Sequence, residues 1–244
     1  MKIHIGTSGW HYKHWKGRFY PEGLKESDQL DYYIQQGFKT VEINNSFYHL
    51  PDVKTFQQWQ KKVPEGFIFS VKASRYITHM KKLKDSSEAL TLFLERAKIL
   101  RKNLGPILFQ LPPGWKINVE RLESFLKILP KEYRYAFEFR NATWYNEKVY
   151  QLLHYHHCAF CIYELNHHLS PIAITTDFIY IRLHGPGEKY QGNYTDSALK
   201  KWSKQLKHWT GQGKEIFVYF DNDQNAYAAF NAKKLNELVL SLES

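Results

Sequence analysis

The sequence has little cysteine and no long hydrophobic run. Its 244 residues include two cysteines, Cys158 and Cys161. They lie too close in sequence for a framework of long-loop disulfides, so we expect a reducing compartment. No apolar stretch reaches the roughly 18 residues that a membrane span needs. Residues 1–5 resemble the start of a strand rather than the apolar segment of a signal peptide, which favours a cytoplasmic protein with no membrane partner.

The chain also lacks the marks of several domains and of a nucleotide cofactor. No low-complexity tract, linker or break in composition interrupts it, so we predict a single domain over residues 1–244. No Gly-x-Gly-x-x-Gly sequence follows the first strand-like segment, which argues against a dinucleotide-binding sheet. We therefore expect no cofactor.

Positive charge, by contrast, is in excess. The chain has 34 Lys and Arg residues against 24 Asp and Glu, a net charge of +10. Such an excess favours anionic partners, either a small anionic molecule or nucleic acid. Part of it lies in the helix-like stretch 200–207, where a solvated helix face is the alternative explanation.

Strand-like and helix-like segments alternate along the chain. Eight such units in about 250 residues are typical of an α/β fold of the TIM (β/α)8 barrel type, with an open doubly wound sheet as the alternative. Only the sixth connection, residues 165–177, lacks a helical pattern. Alternating or apolar residues predict strands over residues 3–7, 40–44, 67–72, 107–111, 135–140, 159–164, 178–184 and 215–221.

Polar residues occupy alternate positions of several predicted strands. Successive strand residues point to opposite faces, so each of these strands has one apolar and one polar face. A buried carboxylate persists only where it has partners or a chemical role. We therefore predict that the polar faces converge on one mouth at the C-terminal ends of the strands, where barrel enzymes place reactive groups. The pairs are Glu42 with Asn44, Ser70 with Lys72, Glu138 with Arg140, and Arg182 with His184.

A series of short motifs resembles the YecE-like family, the domain of unknown function numbered 72. The resemblance covers nearly the whole chain and implies a TIM-barrel fold without an established activity. Proposals for the family point to nucleic acid, by analogy with barrel-fold DNA-repair endonucleases. Asn141 and Glu164 depart from the residues common in the family, so we assign neither a catalytic role. The motifs include Gly6-Thr7-Ser8-Gly9-Trp10, Val41-Glu42-Ile43-Asn44-Asn45, Gln110-Leu111-Pro112-Pro113, Glu138-Phe139-Arg140 and Arg182-Leu183-His184-Gly185.

Three residues are predicted to be catalytic. Glu42 and Glu138 lie on different strands and could act as acid and base across a pocket. His184 is the preferred proton-transfer group because histidine titrates near neutrality. The alternative is that Glu42 pairs with Lys72 in a buried ion-pair network that does no chemistry.

Further residues are predicted to bind the substrate. Lys72, Arg140 and Arg182 suit a phosphate or carboxylate, which arginine binds bidentately. Neutral side chains would orient the ligand, and aromatic rings in the loops would stack on sugars or bases, although the rings could instead pack the loops. The neutral group is Asn44, Asn45, Gln110 and Asn222, and the aromatic group is Trp10, Tyr12, Tyr48 and Trp144.

We expect no metal site. Glu42, Glu138, His184 and Asp223 could supply ligands, but the cationic side chains predicted beside them would repel a divalent ion. The zinc-like spacing from His154 to Cys161 falls at the opposite end of the predicted barrel. The sequence thus favours a metal-free acid/base hydrolase or lyase acting on a nucleotide, nucleic acid or phosphorylated sugar. The alternatives are a metal-dependent DNA-repair-type phosphodiesterase and a noncatalytic nucleic-acid-binding module.

Overall fold

The computed structural model describes residues 2–188 and 190–241, and strands alternate with helices throughout. None of the described helices is long and apolar enough to cross a membrane. The strands are β1 (Ile3–Thr7), β2 (Thr40–Ile43), β3 (Ile68–Lys72), β4 (Leu104–Leu111), β5 (Tyr135–Phe139), β6 (Ala159–Leu165), β7 (His168–Leu169), β8 (Phe178–Leu183) and β9 (Glu215–Phe220). The α-helices are α1 (Gln29–Gln35), α2 (Val53–Lys62), α3 (Ser87–Ala97), α4 (Val119–Lys127), α5 (Glu147–Tyr155), α6 (Asp196–Gly211) and α7 (Tyr227–Leu240).

The strand order confirms the predicted fold class. Eight strands follow one another in the order β1-β9-β8-β6-β5-β4-β3-β2, and β7 pairs antiparallel with β6 as a short hairpin. Neighbouring strands such as β1 and β9, β4 and β5, and β8 and β9 run parallel. An isolated parallel bridge between Ser8 and Glu42 joins β1 to β2. Eight parallel strands with intervening helices form an α/β fold of the TIM-barrel type.

The predicted strand boundaries are close to those observed. The main difference is β4, which begins at Leu104 rather than at residue 107. Gly105 and Pro106 normally interrupt strands, but proline is tolerated near the start of a strand. Residues 165–177 form the β7 hairpin and an irregular segment instead of a helix, as predicted.

Contacts group the chain into two compact units. The first consists of the described residues of 1–42, 162–170 and 177–244, and the second of residues 43–161 and 171–176. The first unit therefore contains β1, β8, β9, α1, α6 and α7, whereas the second contains β3, β4, β5 and helices α2 to α5.

Aromatic packing in the first unit fixes the long loop after β1. The ring of Tyr33 on α1 stacks on Phe38 with a centroid distance of 4.1 Å. Its hydroxyl accepts the Thr7 N–H at 3.0 Å. Trp15, in a 3-10 turn after β1, is fully buried and donates from Nε1 to the Asp223 carbonyl at 3.0 Å. The loops that follow β1 and β9 are thereby held together.

The core of the second unit is a row of stacked rings behind the polar face of β5. Phe137 stacks on Phe109 with a centroid distance of 5.2 Å, and Phe139 stacks on Trp144 at 4.9 Å. All four rings are fully buried. Because Phe137 and Phe139 point into this core, the alternation of the strand turns Glu138 to the other face.

Candidate functional site

A fully buried ion-pair network lies at the C-terminal ends of the strands of the first unit. We call Ser8, Glu42, Arg182, His184 and Asp221 the Arg182 cluster. Glu42 and Arg182 are 0% exposed. Arg182 donates from Nε to Glu42 Oε2 at 3.1 Å and from Nη2 to Oε1 at 2.8 Å. This two-point contact is the strong form of an arginine–carboxylate pair.

Further hydrogen bonds engage both partners. The Ser8 hydroxyl donates to Glu42 Oε1, and the Tyr180 hydroxyl donates to Oε2 at 2.6 Å. Arg182 Nη2 also donates to Ser8 Oγ at 3.0 Å and to Asp221 Oδ2 at 2.9 Å. The Glu42 carboxylate thus accepts four hydrogen bonds, which matches its full accepting capacity.

His184 lies between the two charges that flank it. Its ring is fully buried, with Nδ1 2.9 Å from Asp221 Oδ2 and Nε2 3.4 Å from Arg182 Nη1. The edge of the Tyr190 ring faces the imidazole at a centroid distance of 5.4 Å. Each ring nitrogen therefore lies beside a charged neighbour of the same cluster.

Negative charge near the Arg182 cluster also affects Tyr12. Its hydroxyl donates to the Ser8 carbonyl. Burial first, and then the charges of Asp221, Asp223 and Glu42, raise the pKa of Tyr12 well above its ordinary value. Tyr12 is accordingly a hydrogen-bond donor that remains protonated.

A second group of charges lies at the C-terminal ends of β3 and β5 in the second unit. We call Lys72, Arg75, His79, Glu138 and Arg140 the Arg140 cluster. Arg140 Nε donates to Glu138 Oε1, and the side chain of Glu138 is fully buried while that of Arg140 is 6% exposed. Glu138 Oε2 lies 3.8 Å from the Cys161 thiol, a weak donor.

Positive charge dominates this cluster. The pKa of His79 is lowered from 6.5 to about 4 by burial first, and then by Lys72, Arg75 and Arg140. Lys72 Nζ lies 4.1 Å from the centroid of the Phe47 ring, an arrangement that stabilises a cation. His79 packs edge-on against the same ring at 5.0 Å. His79 is thus a neutral imidazole at neutral pH, surrounded by cations.

The neutral residues predicted to bind the ligand are divided between the two units. Gln110 lies opposite Glu138 in the register of β4 and β5, so the two side chains share a face. Asn45 is exposed, and Asn44 has a buried Oδ1 with no hydrogen-bond partner among the described residues. Asn222, in the first unit, is buried and donates to the Asn231 side chain at 2.9 Å, which makes it a link between loop and helix.

Most of the predicted aromatic groups are packed inside the protein. Trp144 is fully buried and donates to the Trp115 carbonyl at 2.7 Å. Trp10 is 8% exposed, and its carbonyl accepts the hydroxyl of Tyr20. Tyr48, at 69% exposed, offers its ring to solvent. The Tyr48 ring is therefore accessible for stacking on a ligand, whereas Trp10 and Trp144 pack inside the loops.

In the part of the chain that the structure describes, the side chains considered as metal ligands do not converge on one point. There, no group of three or more His, Cys, Asp or Glu side chains could hold a metal ion. In the zinc-like segment, His154 Nδ1 donates to the Thr175 carbonyl at 3.0 Å. Burial raises the pKa of Cys158 to about 12, and Cys161 contacts Glu138. These side chains are engaged separately rather than directed at one point.

Several side chains that form the two clusters, or that donate a hydrogen bond to them, were not among the predicted site residues. Tyr180 could have been found, because it shares a strand face with Arg182 and His184 at a spacing of two. Asp221 directly follows β9, where reactive groups of barrels are expected. Arg75 directly precedes a five-residue π-helical turn, Tyr76–Met80, which contains His79, and this short segment carries no periodic signal in the sequence. Their charge relationship became visible only in the folded structure.

Three comparisons relate the chain to known proteins. The model of a family described as "Protein of unknown function DUF72" matches residues 4–243. The UPF0759 protein YunF of Bacillus subtilis (strain 168) is 28% identical over 275 residues, covering 97% of this chain and 94% of that protein. The crystal structure of a DUF72 family protein from Thermotoga maritima MSB8 is 32% identical, with a TM-score of 0.89 and complete coverage of both chains. A DUF72 structure from Enterococcus faecalis V583 has a TM-score of 0.82 over 98% of this chain and 95% of that one; at 19% identity it shows the fold alone.

Proposed function

Since the chain belongs to the DUF72 family of proteins of unknown function, we propose a function from the chemistry of the Arg140 cluster. The protein binds an anionic group of the phosphate type through Lys72, Arg75 and Arg140. Glu138 then accepts or returns a proton, so that the protein acts as a metal-free hydrolase or lyase. The substrate class is a nucleotide, nucleic acid or phosphorylated sugar.

The surplus of positive charge around His79 carries this proposal. Lys72, Arg75 and Arg140 all lower the pKa of the imidazole, and Glu138 opposes them. Like charges held close together raise each other's free energy, and a bound anion would relieve that repulsion. The same charges would repel a divalent cation, so the proposal gives no role to a metal ion.

Glu138 is the group in this cluster best suited to proton transfer. It lies on β5 near the strand's C-terminal end, where barrel enzymes place their reactive groups. Arg140 fixes one of its oxygens by hydrogen bonding, and Gln110 on the neighbouring strand can orient a ligand beside it. A carboxylate positioned in this way is a suitable general base.

Glu42 and His184 have a structural role in this proposal. Four hydrogen bonds occupy the Glu42 carboxylate, and both ring nitrogens of His184 lie next to charged partners. A proton acceptor needs a lone pair directed at its substrate. The ion-pair alternative considered for Glu42 therefore fits better than general acid or base catalysis, with Arg182 as its partner.

Binding titrations test the proposal. Inorganic phosphate and ribose 5-phosphate are titrated by calorimetry, and single- and double-stranded oligonucleotides by fluorescence anisotropy at low and physiological salt. We expect Arg140→Ala to weaken binding of the favoured anion about tenfold or more, because a bidentate charged contact is lost. Lys204→Ala, on the exposed face of α6, is the matched control and should bind like the unmodified protein.

The exposed lysines of α6 support one other candidate, a noncatalytic nucleic-acid-binding module. Lys200, Lys201 and Lys204 are all exposed on this helix. Such a surface predicts oligonucleotide affinity that falls steeply with salt and depends on Lys204 rather than on Arg140. That result, with no detectable binding of the small phosphates, would refute the assignment to the Arg140 cluster.

A further inference from the structure

An open cavity of about 420 Å³, with polar and charged residues in its lining, lies in the first unit and has no part in the function proposed above. Its walls come from the loops that follow β1, β8 and β9. Small-molecule pockets usually have volumes of about 300–1,000 Å³, so this cavity is suited to one ring rather than to an extended ligand.

The walls of the cavity are held in place before any ligand binds. His14 Nε2 lies 2.9 Å from the Asp223 carbonyl and 3.2 Å from Asp223 Oδ2. Trp15 donates to the same carbonyl. On the other side, the Gly192 N–H donates to Gln224 Oε1 at 3.3 Å. A preformed cavity loses less entropy when it binds a small molecule.

One wall of the cavity contains two residues with a left-handed backbone. Asn225 and Ala226 are consecutive non-glycine residues with φ values of 55° and 61°. A left-handed conformation costs roughly 1 kcal/mol or more for such residues, and strain of this kind clusters at ligand sites. Asn225 lines the cavity, and Ala226, fully buried, fixes the turn into α7.

The chemistry of the lining indicates the class of ligand. The amides of Gln191, Gln224 and Asn225 each offer donors and an acceptor, which match hydroxyl groups that also donate and accept. The carboxylate of Asp223 can accept two further hydroxyls, and the ring of Tyr190 offers a flat apolar surface.

Charge distinguishes this cavity from the Arg140 cluster. Of the described residues that line it, one is a cation, Arg18, and one is a carboxylate, Asp223, and His14 lies beside them. With opposite charges balanced, an anion has little electrostatic advantage here over a neutral molecule. We propose that the cavity binds a neutral polyhydroxylated molecule of monosaccharide size.

Saturation-transfer NMR on the full chain tests this inference. The panel contains glucose, ribose and myo-inositol as neutral polyols, with glucose 6-phosphate and adenosine to represent the charged and aromatic classes. We expect signals from at least one neutral polyol, and no requirement for a phosphate. The proposal would be overturned if none of the three neutral polyols gave a signal, including the case in which only adenosine or only the phosphate ester gave one.

Two variants locate the binding. Asn225→Gly removes the amide but keeps a residue that adopts a left-handed backbone freely, so it should fold normally. Gln224→Ala removes a second amide. Each should weaken polyol binding about three- to tenfold, the effect of losing one hydrogen bond. Gln58→Ala, on the exposed surface of α2, is the matched control.

The outcome for these variants is decisive in either direction. Unchanged polyol affinity in both Asn225→Gly and Gln224→Ala would place binding elsewhere and refute the proposal. Equal weakening in Gln58→Ala would do the same. Thermal unfolding of each variant, measured beside the unmodified protein, shows that the fold is retained. Failure of the Arg140-cluster titrations would leave this result unaffected, since the two proposals use different residues and different probes.

Discussion

The Arg182 and Arg140 clusters both combine arginine, glutamate and histidine, yet they differ in charge balance and exposure. The Arg182 cluster has two carboxylates around one guanidinium, and its central pair is fully buried. The Arg140 cluster has three cations and one carboxylate, and Arg75 is exposed. A fully buried, hydrogen-bonded network stabilises one conformation of its strands, whereas a cluster with surplus positive charge and one exposed cation retains the capacity to bind a ligand.

Replacing the central arginine should have the largest effect on stability. Arg182→Met leaves the buried carboxylates of Glu42 and Asp221 without their cation. We expect the free energy of unfolding to fall by about 3–5 kcal/mol, the cost of breaking a buried pair by removing one partner. Urea denaturation measures the change.

The matched substitution in the other cluster is Arg140→Met. We expect it to cost less than half as much stability, because the positive charges of Lys72 and Arg75 remain in that cluster. Equal losses in the two variants would show that the clusters do not differ in the way proposed.

Removing a single hydrogen bond from Glu42 should have a smaller effect. The pKa of Tyr180 is raised well above its ordinary value, first by burial and then by the Glu42 charge, so its hydroxyl remains a donor. We expect Tyr180→Phe to lower the free energy of unfolding by about 1.5–3 kcal/mol, the range for hydrogen bonds to charged groups. Tyr155→Phe, at a ring that is 78% exposed, is the control and should change little in the same urea titration.

In the Arg140 cluster, removing the carboxylate should strengthen anion binding. Glu138→Gln keeps an oxygen that accepts the Arg140 Nε bond but removes the negative charge that opposes a phosphate. We expect inorganic phosphate to bind about two- to fivefold more tightly, as judged by calorimetry, with most of the stability retained. The exposed Glu120→Gln serves as control.

Weaker phosphate binding in Glu138→Gln, or a loss of stability as large as in Arg182→Met, would argue that Glu138 and Arg140 form a purely structural ion pair. Once a substrate is known, the same variant should lack turnover.

The smallest expected effect is on how the free energy of unfolding changes at acidic pH. The pKa of His79 in the folded protein, about 4, lies below its ordinary value of 6.5. Between these values the unfolded chain binds more protons, so this group makes the protein less stable as pH falls from 6.5 to 4. We expect His79→Gln to show a shallower fall in the free energy of unfolding over this window. Urea titrations at several pH values measure it; an unchanged slope would mean that His79 is not held neutral by its cationic neighbours.

The fold could be predicted because its signals are local. Each strand has a short apolar or alternating pattern, and the connections have helical spacing, so seven strand starts were predicted to within one residue. The early start of β4 could not be predicted from the sequence, since Gly105 and Pro106 are residues that usually interrupt a strand. Strand pairing and burial in the sheet outweighed these local preferences.

The candidate site could be predicted only in part, because the difference between a fully hydrogen-bonded charge and one available to a ligand is not a local feature of the sequence. Charges at alternate strand positions predict Glu42, Glu138 and Arg182 as site residues from the sequence alone. Whether such a charge is saturated depends on partners from distant segments: Ser8 lies 174 positions from Arg182. The sequence therefore placed both clusters in one functional group, and only the hydrogen bonds separate a structural network from a candidate ligand site.

The separation of Glu42 and Arg182 by 140 positions also bears on the synthesis of the protein. At about 5–20 residues per second, a ribosome needs roughly 7–28 s to extend the chain from one residue to the other. Glu42 must remain hydrated during this interval, because burying a carboxylate without its partner is costly. β2 can therefore take its final place only after β8 has been made. A chain whose synthesis stops early would keep this strand exposed, and cellular proteases could distinguish it from a finished one.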